Sequence, residues 1–327
     1  MTDEFLQPWR RPAPLHPDEH LNSMVVRMAR YGGMSVSDFR VKYLARKPGL
    51  DVAYDPRAIR RLSVIAGHDL DALLANSLLP RPDRATAEQT PWKRVAPGML
   101  ASDGAEPYAR RAWSFRAFPC DLDTSEVLLK HCPRCRSVLR WDAVRIEICA
   151  TCGFDLRNHP PSYWPSHEVA DMRTIARGMG YGLLGAVPDA PIELPAPFDV
   201  LTPDEKLEAL AWCAQLRGLI DRSGTEGSQK TAYLGLPIAR SWPDPLHQIA
   251  DLLTRQVKAD FYGAFGTLLH HIRHKRPCSL NDAVVLEASK ALDIARKTNS
   301  RPASATFPRQ YLSLQVRRAP QPQLRKA

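Results

Sequence analysis

Two Cys-x-x-Cys pairs, Cys132 with Cys135 and Cys149 with Cys152, stand thirteen residues apart in a chain with only three other cysteines. Four thiolates at this spacing are the ligand set of a zinc ion, which takes four sulfurs in a tetrahedron at about 2.3 Å. The turns Cys132-Pro133-Arg134-Cys135 and Cys149-Ala150-Thr151-Cys152-Gly153 suit that task. Pro133 presets the first, and Gly153 accepts a positive φ just after the last ligand. Such a site is structural, because four protein sulfurs leave no open position for a water nucleophile.

The rival chemistries for these cysteines are a dithiol redox pair and disulfides. A redox pair needs one such motif on a βαβ framework, and none is visible; disulfides imply an oxidising compartment. Residues 1 to 20 contain no apolar stretch of the kind a signal peptide carries, and no stretch approaches a membrane span. The chain therefore reads as cytosolic and reduced. Cys120, Cys213 and Cys278 show no pairing pattern, and Cys213, among Leu210, Ala211, Ala214 and Leu216, reads as a small buried apolar residue.

Other candidate chemistry is weaker. His270, His274 and Cys278 fall at i, i+4 and i+8 and could share a helical face for a second metal. Pro277 should end the helix first, and Arg273, Lys275 and Arg276 would repel the ion, so a basic helix end is the preferred reading. His131, His159 and His167 are spare once four sulfurs fill the coordination sphere. Tyr163 and Trp164 are expected to cover a small ribbon core. No P-loop, GxSxG elbow, HExxH or dinucleotide fingerprint is present, and the chain reads as a non-enzyme.

Of the elements that must position the cysteines, the stretch between the pairs comes first. Val144, Ile146 and Ile148 alternate with charged residues, a period of two that predicts a short β-hairpin. Proline clusters divide the rest. Pro80, Pro82, Pro91, Pro97 and Pro107 mark one extended connector, and Pro188, Pro191, Pro195, Pro197 and Pro203 mark another. The expected organisation is a helical segment over 1–80, a zinc-bearing one over 108–187, a helical one over 202–298 and a basic flexible tail over 299–327. The fold class is mainly α, with helix-turn-helix-like N-terminal helices, a small β zinc ribbon and a C-terminal helical domain.

Within the first segment Leu21, Met24, Val25, Met28 and Tyr31 form one helical stripe, ended by Gly32-Gly33. Ser35, with Asp38 three residues on, starts a second helix bearing the i, i+4 pair Phe39 and Tyr43. Asp55 and Pro56 open a third with Leu62 and Ile65 on its stripe and Gly67 as its stop; Asp69 caps a fourth bearing Leu70, Leu73, Leu74 and Leu78. Short glycine turns between helices are the signature of a helix-turn-helix, and also occur in all-α domains with no DNA role.

Composition, with 44% apolar and 24% charged residues, is that of an ordinary soluble globular protein. The net charge of +10 is uneven: residues 1 to 100 carry +4 and 301 to 327 carry +6. Between the helix pairs Arg40, Lys42, Arg46, Lys47, Arg57, Arg60 and Arg61 face only Asp51 and Asp55. A helix so charged can lie along a DNA groove, with phosphate contacts supplying affinity.

Pro14, Pro17, Glu19, Leu21, Ser23, Arg27, Ala29, Gly33 and Phe39 resemble the opening of the TniQ family. Leu62, Ala66, Gly67, Leu70, Leu73 and Leu78 are similar to that family's second helix pair. The stretch His131 to Leu156, with Cys132-Pro133-x-Cys135, Arg140, Trp141 and Cys149-x-x-Cys152-Gly153-x-x-Leu156, resembles its zinc motif. The family often closes that motif with Cys-x-x-His; here Cys152 holds the place, a chemically sound substitute. The resemblance covers about the first half of the chain, and residues 202 to 327 carry none of it.

The resemblance implies a DNA-binding adaptor for target-site selection in transposition. Such adaptors bind target DNA, or a guide-RNA effector already placed on it, and recruit an ATPase regulator and the transposase. They perform no strand chemistry. Dimerisation follows from the resemblance alone, as no heptad runs through the helices. The expected location is cytoplasmic, on the nucleoid. The alternative is a zinc-ribbon transcriptional regulator or protein-interaction scaffold with no transposon link. In either case Cys132→Ser is expected to release zinc and unfold residues 131 to 156 while the N-terminal helices stay folded.

Overall fold

The computed structural model describes residues 13–45, 52–77, 92–180, 182–220 and 232–248, with 287, 290 and 294. Arg46, Lys47 and Leu78, the His270, His271, His274 and Cys278 stretch, and the 299–327 tail lie outside the described residues. The described chain is mainly helical. No described helix is long and apolar enough to cross a membrane.

Helix α1 (Leu21–Tyr31) starts at His20, whose Nδ1 accepts the Asn22 N–H at 3.0 Å. Its apolar stripe is buried, and burial extends beyond it to Asn22, Ser23 and Arg27. Most of their polar capacity is used inside the fold, although Asn22 Nδ2 and Arg27 Nε have no hydrogen-bond partner among the described residues. Ser23 Oγ donates to Glu19 at 2.9 Å and accepts the Ala109 N–H at 2.9 Å. Arg27 Nη1 donates to Glu19 at 2.8 Å and to the Pro14 carbonyl at 3.0 Å. Burial pushes the Glu19 carboxyl up, to about 7, against the pull of Arg27.

Helix α2 (Val36–Leu44) starts at Ser35, which accepts the Asp38 N–H and donates back to the Asp38 carboxylate. The Phe39 and Tyr43 rings lie 5.2 Å apart. A single 3₁₀ turn, Val52–Tyr54, leads to α3 (Pro56–Ala66), capped by Asp55 and stopped at Gly67 with φ of 64°. Helix α4 (Leu70–Ala75) is capped by Asp69. Helix α1 packs on α2, α2 on α3 and α3 on α4.

The first proline-rich connector is not extended throughout: Pro97–Ser102 form helix α5. Pro97 sits at the first helical position, where its fixed φ and missing N–H are no handicap. The cap is remote, since the Glu126 carboxylate accepts the N–H groups of Gly98 at 2.7 Å and Met99 at 3.1 Å. A Cβ on Gly98 would meet Glu126 Oε2 at 2.8 Å.

From 103 to 165 the chain is irregular, with 3₁₀ turns at Arg111–Ser114 and Leu156–Asn158 and isolated antiparallel bridges. Arg94 holds much of it by donating to the carbonyls of Trp113, Phe115 and Phe118. Helix α6 (Ser166–Met179) buries Val169, Met172, Ile175, Ala176 and Met179. Residues 183–202 form neither helix nor strand, as the second proline cluster predicts. Helices α7 (Pro203–Ile220) and α8 (Ala232–Arg240) follow, and Cys213 is fully buried on α7.

The described residues divide into two compact units. One comprises those within 13–193, 201–214 and 232–236; the other comprises those within 194–200, 215–220 and 237–248, with 287, 290 and 294. The expected separation of 1–80 from 108–187 is thus absent, because the 103–111 stretch is bonded to α1 through Ser23, Arg27 and the His20 N–H to Ala109 carbonyl bond at 2.9 Å. Helix α7 contributes its residues up to 214 to the first unit and those from 215 to the second, and another boundary falls between 200 and 201.

Candidate metal centre

Cys132, Cys135, Cys149 and Cys152 converge, their sulfurs all within 4.8 Å of one another. Cys132 and Cys152 are 3.6 Å apart, and Cys135 and Cys149 are 3.8 Å apart. A regular tetrahedron with bonds of about 2.3 Å has edges of about 3.8 Å, so the four sulfurs fit a tetrahedral ion such as zinc. They fit it chemically as well. The N–H groups of Thr151 and Cys152 and the Ser137 hydroxyl overcome burial at Cys149 and lower its thiol to about 6. Cys152, despite a bond from the Phe154 N–H, is pushed to about 12 by burial and by the three neighbouring sulfurs. Four sulfurs this close could all be held as thiolates by a cation placed among them.

Each pair sits in a small loop of its own, and the two loops are built alike at an offset of seventeen residues. Cys132 N–H donates to the Ser137 carbonyl at 2.9 Å, and Cys149 N–H to the Phe154 carbonyl at 2.9 Å. Arg136 N–H closes on the Cys132 carbonyl at 2.8 Å, as Gly153 N–H does on Cys149 at 3.0 Å. Bridges frame them at His131 with Val138 and at Ile148 with Asp155. Leu139 and Leu156 are the matching buried anchors. Both loops require a positive φ after the second cysteine, 70° at Gly153 and 60° at Arg136. A side chain there costs about 1 kcal/mol or more, which Arg136 bears and Gly153 avoids.

The hairpin expected between the pairs is absent. Val144 is 67% exposed while Ile146 and Glu147 are buried, and turns occupy most of 141–147. Non-local packing overrides the alternation: Lys93, 1% exposed, donates its ammonium to the carbonyls of Ile146 at 3.1 Å and Ile148 at 3.4 Å, pinning this strap. Burial lowers Lys93 to about 8 although Cys149, Asp142, Glu147 and Cys132 pull upward. Trp141, also on the strap, stacks on His20 with ring centroids 4.6 Å apart. Tyr163, expected to be buried, is 65% exposed, because its backbone bridge to Glu126 turns the ring outward. Trp164 is half-buried and donates to Glu168 at 2.8 Å. Sequence reasoning missed Lys93, and only its proximity in the fold reveals it.

The basic residues assigned to DNA are scattered in role. Arg57 and Arg60 are exposed on α3, Arg61 is half-buried, and exposed Lys42 lies 5.1 Å from the Tyr43 ring. Arg40 does not belong with them. It is 2% exposed and donates to Asn22 Oδ1 at 3.2 Å, so it serves the helical core and cannot meet phosphate in this conformation. A scan of protein-family models and a search of curated proteins found no match to this chain.

Proposed function

We propose that the protein is a DNA-binding adaptor, held in shape by a structural zinc ion at Cys132, Cys135, Cys149 and Cys152. On this reading it resembles TniQ proteins in selecting target sites for transposition, bringing an ATPase regulator and the transposase to DNA, or to a guide-RNA effector on it, without strand chemistry. The observation that carries the DNA reading is the outer face of α3. Ala58, Ile59, Leu62, Ile65 and Ala66 face the core, which leaves Arg57 and Arg60 on the solvent side one turn apart, with Arg61 beside them. Cations so placed meet successive phosphates, and counterion release supplies the affinity. Glu19, Ser23 and Arg27, three residues of the TniQ resemblance, form one buried network that fixes α1.

The test is a titration of duplex DNA against protein over a range of salt. The R57A/R60A/R61A variant is expected to bind at least about tenfold more weakly and with a salt slope shallower by about two to three. Full affinity at low salt in that variant would remove α3 from the interface. The transposition link is read from gene order: a transposase gene and an ATPase gene alongside support it, and an isolated gene favours the regulator or scaffold reading.

A further inference from the structure

The two cysteine loops share one backbone plan but differ in charge. Loop one, from Lys130 to Arg140, carries Lys130, Arg134, Arg136 and Arg140 and no acidic residue. Loop two, from Glu147 to Arg157, carries at the matching positions Glu147, Thr151, Gly153 and Arg157, with Asp155 besides. The charges of loop two are consumed internally. Glu147 is buried against Arg145, and Arg157 is held by Asp155 at 2.6 Å. Those of loop one are spent on nothing: all four side chains are exposed, and none makes a hydrogen bond or ion pair among the described residues.

Arg136 sharpens the contrast, because it occupies at φ 60° the position where the twin loop uses glycine. The strain brings no side-chain contact inside the fold, while the metal-bound turn would fix the backbone from which the exposed side chain projects. Three of the four cations are arginines, whose planar forks match phosphate oxygens. Apart from the ligand Cys135, the one exposed apolar residue on the loop is Pro133. A folded protein partner would need an aromatic or aliphatic anchor at the centre of its interface, and this surface offers none.

We infer that the first cysteine loop is a second DNA-backbone contact, in which Lys130, Arg134, Arg136 and Arg140 meet phosphates while the second loop serves only the metal. This deepens the DNA reading above and rests on it. It also gives the metal a binding role: the ion fixes the turn that aims the arginines.

The experiment uses the full-length, metal-loaded chain and a fluorescent duplex of arbitrary sequence, titrated by anisotropy at several salt concentrations. R134A/R136G/R140A, which also relieves the strain at 136, is expected to lose at least about tenfold in affinity and two to three in salt slope. R134K/R136K/R140K is expected to recover most of the slope, which a merely structural role would not produce. Metal-to-protein ratio and far-ultraviolet circular dichroism confirm that each variant is folded and loaded. Wild-type binding with an unchanged slope in the glycine variant overturns the loop assignment and leaves α3 standing. No salt-dependent binding by wild type overturns both readings together.

Discussion

Lys93 lies thirty-nine residues before the first metal ligand, in a stretch that by sequence reads as connector, and nothing local marks it. In the fold its ammonium is buried on the strap that joins the two loops, bonded to the Ile146 and Ile148 carbonyls. A divalent ion with four thiolates carries a net charge of −2, so a buried cation beside it offsets charge that water cannot reach. Lys93→Met keeps the apolar stem and removes the charge. It is expected to weaken metal retention roughly 10- to 100-fold, measured by competition with a chromophoric chelator. Unchanged retention would mean that Lys93 only ties down the strap. The ligands themselves were legible because Cys-x-x-Cys spacing is local chemistry, and Gly153 was legible because the turn demands a positive φ. Lys93 was not, since a lysine bound to remote carbonyls leaves no periodic trace. Arg40 was misread for the converse reason. Charge density along the chain does not say which cation turns inward to bond Asn22.

At the scale of elements, α2, α3 and α4 start where Ser35, Asp55 and Asp69 place them, because such caps bond within three residues and are written in the sequence. Helix α5 was not legible, since its cap comes from Glu126, twenty-eight residues beyond Gly98. The hairpin failed similarly, as tertiary contacts with Lys93 and His20 bend a strand-like pattern into turns. His20 gives the start of α1 a pH dependence. Its ring is fully buried, and burial, followed by the charges of Arg111 and Arg40, lowers its pKa to about 3. The unfolded chain takes up that proton near pH 6.5, so this group's contribution is present above that pH and falls as pH drops toward 3, by about 1.4 kcal/mol per unit. His20→Asn keeps a cap acceptor for the Asn22 N–H and removes the titration. Wild type is expected to lose melting temperature more steeply than this variant between about pH 6.5 and 4. Thiolate protonation affects both proteins alike and cancels in the comparison, so parallel slopes would show that His20 does not titrate with unfolding.

Across the larger unit, the metal loops and the N-terminal helices share one body. Trp141 of the strap stacks on His20 at the head of α1, and Arg157 of the second loop reaches the Gly104 carbonyl at 3.5 Å. The stretch around 103–111 is in turn bonded to Ser23 and Arg27 of α1. These contacts change what metal loss should do. Structural zinc sites are worth about 10–16 kcal/mol, as much as the whole stability of a typical domain at about 5–15 kcal/mol. A ribbon unfolding alone would also strand His20 and Trp141 half-packed. Cys132→Ser, or chelation of the wild type, is therefore expected to melt the helices with the loops. Helical ellipticity and the release of metal should follow one another across a single transition. Loss of metal with the α1 to α4 helical signal intact would show instead that the loops are an independent module, and that the His20–Trp141 contact carries little of the unit's cooperativity.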